Sequence, residues 1–272
     1  MNILSMRKFR WLLLAALICA GDFAFAQVAT VFELSGSAQA IPNAGAPRAL
    51  RKGDSLNQGE TIATADASSI ILRFEDGQVV ALSAKSRFTI AAYTYNKAEP
   101  AKSSVLLSLL QGGMRAITGL IGKRDPALVT YKAANATVGI RGTDVIIATD
   151  GVSVAVTVSE GAIVFSFGGQ TVSIPVGQGA LTTASGTIQS APASQIIAAI
   201  QAQGTVASAA LAAVLVSVSS PAIEAAVNRA LQSGSAGNST SRDTAPPPTP
   251  SATGNTGSSG SGGAGGGSAS GR

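Results

Sequence analysis

Residues 145–174 read VIIATDGVSVAVTVSEGAIVFSFGGQTVSI, and this stretch decides the fold. Short runs of alternating apolar residues are separated by Asp150-Gly151, Glu160-Gly161 and Gly168-Gly169. Asp-Gly and Gly-Gly are strong two-residue turn signals, because both central positions must take positive φ; Glu-Gly is weaker. Taken as turns, the first pairs Ile147 with Val154 and Val145 with Val156. The second pairs Val156 with Phe165, Val158 with Ile163 and Val154 with Phe167. The third pairs Phe165 with Val172 and Ile163 with Ile174. All these residues fall on one face, and Ser153, Thr157, Ser159, Ser166 and Ser173 fall on the other. The agreement predicts an antiparallel meander with a dry side and a polar side.

Period two also holds upstream. Ile70, Leu72 and Phe74 alternate with Ile71, Arg73 and Glu75, and Val80 and Leu82 follow Asp76-Gly77. A two-residue turn there would put Val80 and Leu82 on the wrong face. The connection is therefore expected to carry an extra residue as a bulge, or to be a corner.

Both ends of the 272-residue chain differ from this middle. Arg7, Lys8 and Arg10 precede an apolar run from Trp11 to Ala20, and Ala24-Phe25-Ala26 ends in small residues before Gln27. Residues 1–26 read as a secretory signal peptide cleaved after Ala26, which predicts a periplasmic or secreted protein. The apolar run is shorter than the ~20 residues a spanning helix needs. No membrane span is expected once the signal is removed. Residues 192–232 are Ala-rich and nearly uncharged. They are read as short helices over 195–203, 205–218 and from Pro221 to about Gln232, with Ser194 and Ser220 as N-caps. These helices are expected to pack against the β core, the alternative being a partner or membrane-surface helix. Residues 233–272 are almost wholly Gly, Ser, Thr, Ala and Pro and read as a disordered tail. Gly260, Gly262 and Gly265 match a dinucleotide-loop spacing, but no strand or helix flanks them.

Composition narrows the chemistry. The chain has no His, and its single Cys (Cys19) and single Trp (Trp11) lie in the signal. The exported chain therefore has no disulfide and must be held by burial alone. The net charge of +5 falls when Arg7, Lys8, Arg10 and Asp22 leave. The remaining basic pairs, Arg51-Lys52 and Lys123-Arg124, lack interleaved aromatics, so no nucleic-acid partner is expected. A Ser or Thr nucleophile has no His to activate it. Zinc has neither Cys nor His, and no calcium loop occurs. Gly119-Leu120-Ile121-Gly122-Lys123 superficially looks like a phosphate loop, but its glycines are too close and Arg124 replaces the required hydroxyl residue. A carboxylate pair for glycoside cleavage is the one enzymatic option left, and nothing brings two acids together. The expectation is a non-enzyme with no cofactor, no metal and no catalytic residue; a secreted hydrolase is the least favoured reading.

An ordered set of short motifs then resembles a known family. It runs Gly36-Ser37-Ala38, Leu50-Arg51-Lys52-Gly53-Asp54, Leu56, Gly59, Thr61 to Thr64, Asp76-Gly77 and Leu82 to Ser86. It continues with Leu109-Leu110-Gln111-Gly112-Gly113, Arg115, Val138 to Thr143 and Glu160-Gly161. Over residues 33–185 the chain is similar to the FecR domain of bacterial envelope proteins. The resemblance implies an all-β, somewhat solenoid-like periplasmic module, assigned here to residues 27–191. It also implies, in regulatory relatives, contact with an outer-membrane transporter's signalling domain. Those relatives carry a cytoplasmic anti-sigma segment and one transmembrane helix before the domain. Here a cleavable signal stands in that place, so a stand-alone exported module is expected. Its partner would be an envelope protein or cell-wall component; a role in iron or siderophore signalling is the alternative. Oligomeric state is left open.

Five residues are candidates for recognition or for structure. Arg141 and Asp144, in Val138-Gly139-Ile140-Arg141-Gly142-Thr143-Asp144, are either an exposed recognition pair or a structural ion pair. Their apolar neighbours favour the structural pair. Tyr93, Tyr95 and Tyr131 are either a surface platform for sugar or peptide, or partly buried strand tyrosines.

Overall fold

The computed structural model describes residues 27–183, 185–202 and 206–235. The signal peptide and residues 236–272 of the expected tail lie outside the described residues.

Fifteen strands form one large mixed sheet. The first eight are β1 (Gln27–Ser35), β2 (Ala38–Ile41), β3 (Arg48–Ala49), β4 (Ser55–Asn57), β5 (Thr61–Thr64), β6 (Ser69–Phe74), β7 (Val79–Leu82) and β8 (Arg87–Thr94). The long β9 (Ser104–Ile117) and β11 (Ala136–Thr149) flank the short β10 (Val129–Ala133), and the long β12 (Val154–Phe167) lies beyond β11. β13 (Gln170–Pro175), β14 (Gln178–Thr182) and β15 (Ile188–Pro192) complete the sheet. Among the described residues four α-helices accompany them: α1 (Leu120–Arg124), α2 (Ala193–Ala202), α3 (Val206–Val218) and α4 (Pro221–Ser235). The domain is thus mostly β rather than all-β. It is not an antiparallel meander throughout, because β10 runs parallel to β9. A parallel neighbour requires a crossover of about a dozen residues. Here α1 and a 3-10 turn at Pro126–Leu128 supply it.

Each long strand changes partners partway along. The first half of β9 pairs with β8 and β10, and its last residues pair with β7 and β11. The change falls at Gly112, which has φ of +91° and where any Cβ would collide with Ser86. β12 pairs with β14 before Gly161 and with β13 after it. Strand bulges of this kind let a sheet turn a corner.

The pairing of residues 136–175 corrects the expected register in two of three places. Gly168-Gly169 is a hairpin turn, and Phe165 faces Val172 and Ile163 faces Ile174, as expected. Around Asp150-Gly151 the loop is four residues long, so Ile147 faces Val156 and Thr149 faces Val154. The Asp150 carboxylate accepts the amides of Val152 and Ser153 at 2.8 and 2.7 Å, and Thr149 Oγ1 accepts that of Gly151. These side-chain bonds hold the loop open by two further residues. Glu160-Gly161 makes no turn. β11 and β12 run on together, Val138 facing Phe165 and Ile140 facing Ile163, with irregularity between Arg141 and Val145. Gly161, at φ of +73°, lies against the Gly142 carbonyl. Face assignment survived because the first hairpin slipped by two residues, which preserves the side-chain period.

The connection at Asp76-Gly77 carries the extra residue. Leu72 faces Val80 and Ile70 faces Leu82, and a three-residue loop, 75–77, is closed by the Phe74 amide bonding the Gln78 carbonyl. Ile70, Leu72, Val80 and Leu82 join the main core with Val145, Ile147, Val156, Ile163 and Phe165.

The opposite face is not simply polar. Ile146, Ala148, Ala155 and Leu181 lie under Ile196 and Ile200 of α2 and Leu211, Leu215 and Val218 of α3. Ile71, Val79 and Ala81 lie under Ile223, Val227 and Ala230 of α4. The helices therefore pack on the sheet, and α4 starts at Pro221 behind Ser220, whose carbonyl accepts the Glu224 amide at 3.0 Å. Ser194 lies inside α2 rather than capping it. Among the described residues no single helix is long and apolar enough to cross a membrane. The pair Ser208–Val218 and Pro221–Ser233, bent by 45°, passes on length and composition together.

Backbone crowding at Gly161 sets a test. Gly169 has φ of +80° but open space around its missing Cβ. Gly169→Ala is expected to cost about 1–2 kcal/mol from left-handed strain alone. Gly161→Ala adds a steric collision and is expected to cost roughly 1–3 kcal/mol more, measured by urea denaturation.

Candidate functional site

The β9–β10 crossover carries the most distinctive local chemistry. It begins where α1 is pinned to the β6–β7 loop. The Asp76 carbonyl accepts the Leu120 amide at 2.9 Å, and Asp76 Oδ2 accepts the Ile121 amide at 3.3 Å. Asp76 Oδ1 accepts the Gln78 amide and the Tyr93 hydroxyl, each at 3.1 Å. The Tyr93 hydroxyl in turn accepts the Asp76 amide at 2.9 Å. Asp76 is 1% exposed, and burial raises its pKa above the ordinary 3.8 despite these donors. Gly119 and Gly122, the pair that resembled a phosphate loop, are packing glycines. A Cβ on Gly119 would strike the Asp76 carboxylate, and one on Gly122 would lie 2.6 Å from Thr118 Cγ2.

This anchoring leaves the outer side of α1 exposed. A groove of about 610 Å³ runs between α1 and the β8–β9 connection, with Tyr95, Lys97, Pro100, Leu120, Arg124 and Leu128 among its walls. Leu120 is 59% exposed. Lys97 Nζ sits 5.8 Å from the centre of the Tyr95 ring, a cation–π distance. A second, more open hollow of about 700 Å³ lies by α1, with Lys123 and Arg141 on its walls. Lys97, Lys123, Arg124 and Arg141 are all exposed, and among the described residues none of them forms an ion pair.

The five residues singled out in the sequence separate. Arg141 and Asp144 do not pair. Asp144 is 7% exposed and is held by Arg115, whose Nε lies 3.0 and 3.2 Å from the two carboxylate oxygens and whose Nη2 lies 2.6 Å from Oδ2. That forked pair raises the Arg115 pKa. Arg141 and Asp144 flank the bulge opposite Gly161, which turns the strand between them and aims them apart. Arg115, on the facing strand, is the partner that linear spacing hid. The three tyrosines form no platform. Tyr93 is buried on Asp76, with its ring 5.3 Å from that of Phe74. Tyr131 is fully buried, and its hydroxyl lies 3.4 Å from Gln78 Oε1. Burial, with the Asp76 charge second, pushes both phenols far above the ordinary range. Tyr95 alone reaches the surface, at the groove.

The sequence missed the groove because its parts lie apart along the chain. Lys123-Arg124 seemed to lack an aromatic neighbour, and folding brings Tyr95 to the same groove as Arg124. Among the described residues, no three Asp, Glu, His or Cys side chains gather as a metal set. The arrangement gathers an exposed leucine, a tyrosine ring and cations that form no ion pair among the described residues.

Residues 60–164 match the model of the family described as "FecR protein". This segment is therefore similar to the FecR family, and it contains the groove, the Asp76 anchor and the Arg115–Asp144 pair. No curated protein matches the chain. Two crystal structures described as "a putative anti-sigma factor from Parabacteroides distasonis ATCC 8503" are similar at TM-scores of 0.42 and 0.40, with 15% and 14% identity. The similarity covers 53% of this chain and 64% and 65% of theirs. The chain thus spans a little under two thirds of those proteins.

Two outcomes test the electrostatics. Arg115→Ala strands a buried carboxylate and is expected to cost about 3–5 kcal/mol. Arg141→Ala is expected to stay within about 0.5 kcal/mol of wild type; thermal and urea denaturation compare them. For Asp76, the folded state binds the proton more tightly than the unfolded chain does. Its ionisable contribution therefore favours folding at low pH and is lost as the pH rises from 3.8 through the raised folded value. The stability difference between wild type and Asp76→Ala is expected to narrow over that rise, followed by urea denaturation at stepped pH.

Proposed function

We propose that this protein is an exported, non-enzymatic module that recognises a protein or cell-wall component of the bacterial envelope. One observation carries the reading: the FecR match covers the very segment that holds the groove, with its exposed Leu120 and the side chains of Lys97 and Arg124. The leader pattern of residues 1–26 supports export. The lack of His, and of Cys outside that leader, supports a binding role, since a Ser or Thr nucleophile would have no base of the usual kind. Signalling in metal or siderophore uptake is the narrower form of this reading. It requires a second protein to carry the signal inward.

Affinity capture from envelope extract, with the full chain expressed and processed in a bacterial host, tests the proposal. A bound envelope protein or peptidoglycan is expected, and a transporter's signalling domain as prey would select the narrower form. A chain found in the cytosol with residues 1–26 intact by mass spectrometry would refute export.

A further inference from the structure

We infer that the groove beside α1 binds an acidic peptide that inserts one bulky apolar side chain between Lys97 and Arg124. This deepens the envelope-recognition reading and rests on it. Four observations converge. The groove's volume, about 610 Å³, is within the ordinary range for a ligand site. Its walls are mostly apolar, with Leu120, Leu128 and Pro100 available to an inserted side chain. Leu120 is 59% exposed on a helix whose backbone is tied to a buried carboxylate, so the apolar surface is held out rather than left loose. The two cations at the groove, Lys97 and Arg124, have no ion-pair partner among the described residues.

Against these two cations the groove wall carries one carboxylate, Asp125, so a positive excess remains. The Asp125 side chain accepts the Ala127 amide at 3.0 Å, capping the 3-10 turn. Glu99 pairs with Lys102 at 2.7 Å. Lys123 and Arg141 extend the positive surface along the other side of α1. Complementary charge therefore calls for Asp or Glu on either side of the apolar anchor, with the anchor supplying affinity and the carboxylates orientation and on-rate. Because Lys97 already lies over the Tyr95 ring, its ammonium is pre-placed rather than free to wander, which lowers the ordering cost of binding.

The test selects a random heptapeptide library displayed on phage against the full processed chain. Enriched peptides are expected to carry one aromatic or long aliphatic residue flanked by Asp or Glu. Synthetic versions of them are expected to lose roughly tenfold or more in affinity, about 1.4 kcal/mol, against Leu120→Ser and against Lys97→Glu with Arg124→Glu. Binding is also expected to weaken with added salt, since the charges are exposed. All three positions are on the surface, and circular dichroism checks that the variants fold. Enrichment of peptides without acidic residues, no enrichment, or affinity unchanged in the variants would overturn the inference. Binding to phosphatidylglycerol vesicles that disappears in the same variants would reassign the groove to lipid and overturn it too. Envelope capture with the variants separates the two levels. Prey retained by the variants sinks the groove alone, whereas no prey with wild type sinks the envelope reading, and the library still judges the groove.

Discussion

Backbone crowding at a few glycines is the constraint on which the fold depends. Gly161 abuts the Gly142 carbonyl, and Gly112 abuts Ser86. At these places no side chain fits, so two strands approach more closely than a regular ladder allows, and the strands exchange partners nearby. The Ser86 hydroxyl completes the contact by accepting the Gly113 amide at 3.0 Å, while the Ser86 amide bonds Thr64 Oγ1 at 2.8 Å. A β9 that stayed with β8 and β10 throughout would offer no seat for β7 and β11. The family motifs at Leu82–Ser86, Leu109–Gly113, Val138–Thr143 and Glu160-Gly161 are thus largely the parts of one device, the set of contacts at which the sheet changes direction.

That device also shows what the sequence revealed and what it concealed. Alternation assigned Ile147, Val156, Ile163 and Phe165 to one buried face correctly, because side-chain direction is a local property of a strand. Turn chemistry located the Gly168-Gly169 hairpin and the extra residue after Phe74. It failed at Glu160-Gly161, where the same left-handed glycine that makes a turn can make a bulge instead. Only a facing strand decides between them, and that strand carries Gly142 in the matching place. It failed by two residues at Asp150, where the carboxylate bonds two amides ahead of it and lengthens the loop. The parallel strand β10 was hidden for a related reason. Five apolar-alternating residues, 129–133, do not encode a direction; the length of the connection before them does.

The site residues were less legible than the fold for a physical reason. Ion pairs and grooves join residues distant in sequence, and spacing along the chain carries little of that. Asp144 looked toward Arg141, three residues away, but a bulge turns the strand between them. Arg115, twenty-nine residues back, is the residue in reach. Asp76 read as a turn former and is one; its carboxylate also holds α1 in place and sits under Tyr93. The Gly119–Gly122 spacing serves packing, letting α1 lie against that same loop.

The C-terminal helices complete the argument about burial. Without disulfides, this domain is held by apolar contact, hydrogen bonds and ion pairs such as Arg115–Asp144. The second face of its sheet offers Ile146, Ala148, Ala155, Ile71, Val79 and Ala81, which cannot be left in water without a cost of about 25 cal/mol for each Å² exposed. α2, α3 and α4 cover them, and Gly113 is a point of close approach, since a Cβ there would lie 2.5 Å from Val214 and 2.6 Å from Val218. Arg229 of α4 pairs with Glu33 of β1 at 2.8 Å, and Arg73 bonds Ser233 at 2.9 Å. Leu211, Leu215 and Val218 of α3 and Ile223, Val227 and Ala230 of α4 are thus buried against the sheet, while Val216 is exposed. The helices lie outside residues 60–164, yet the segment that matches the FecR model leaves an apolar face that they close, and the folded unit is larger than the matched segment.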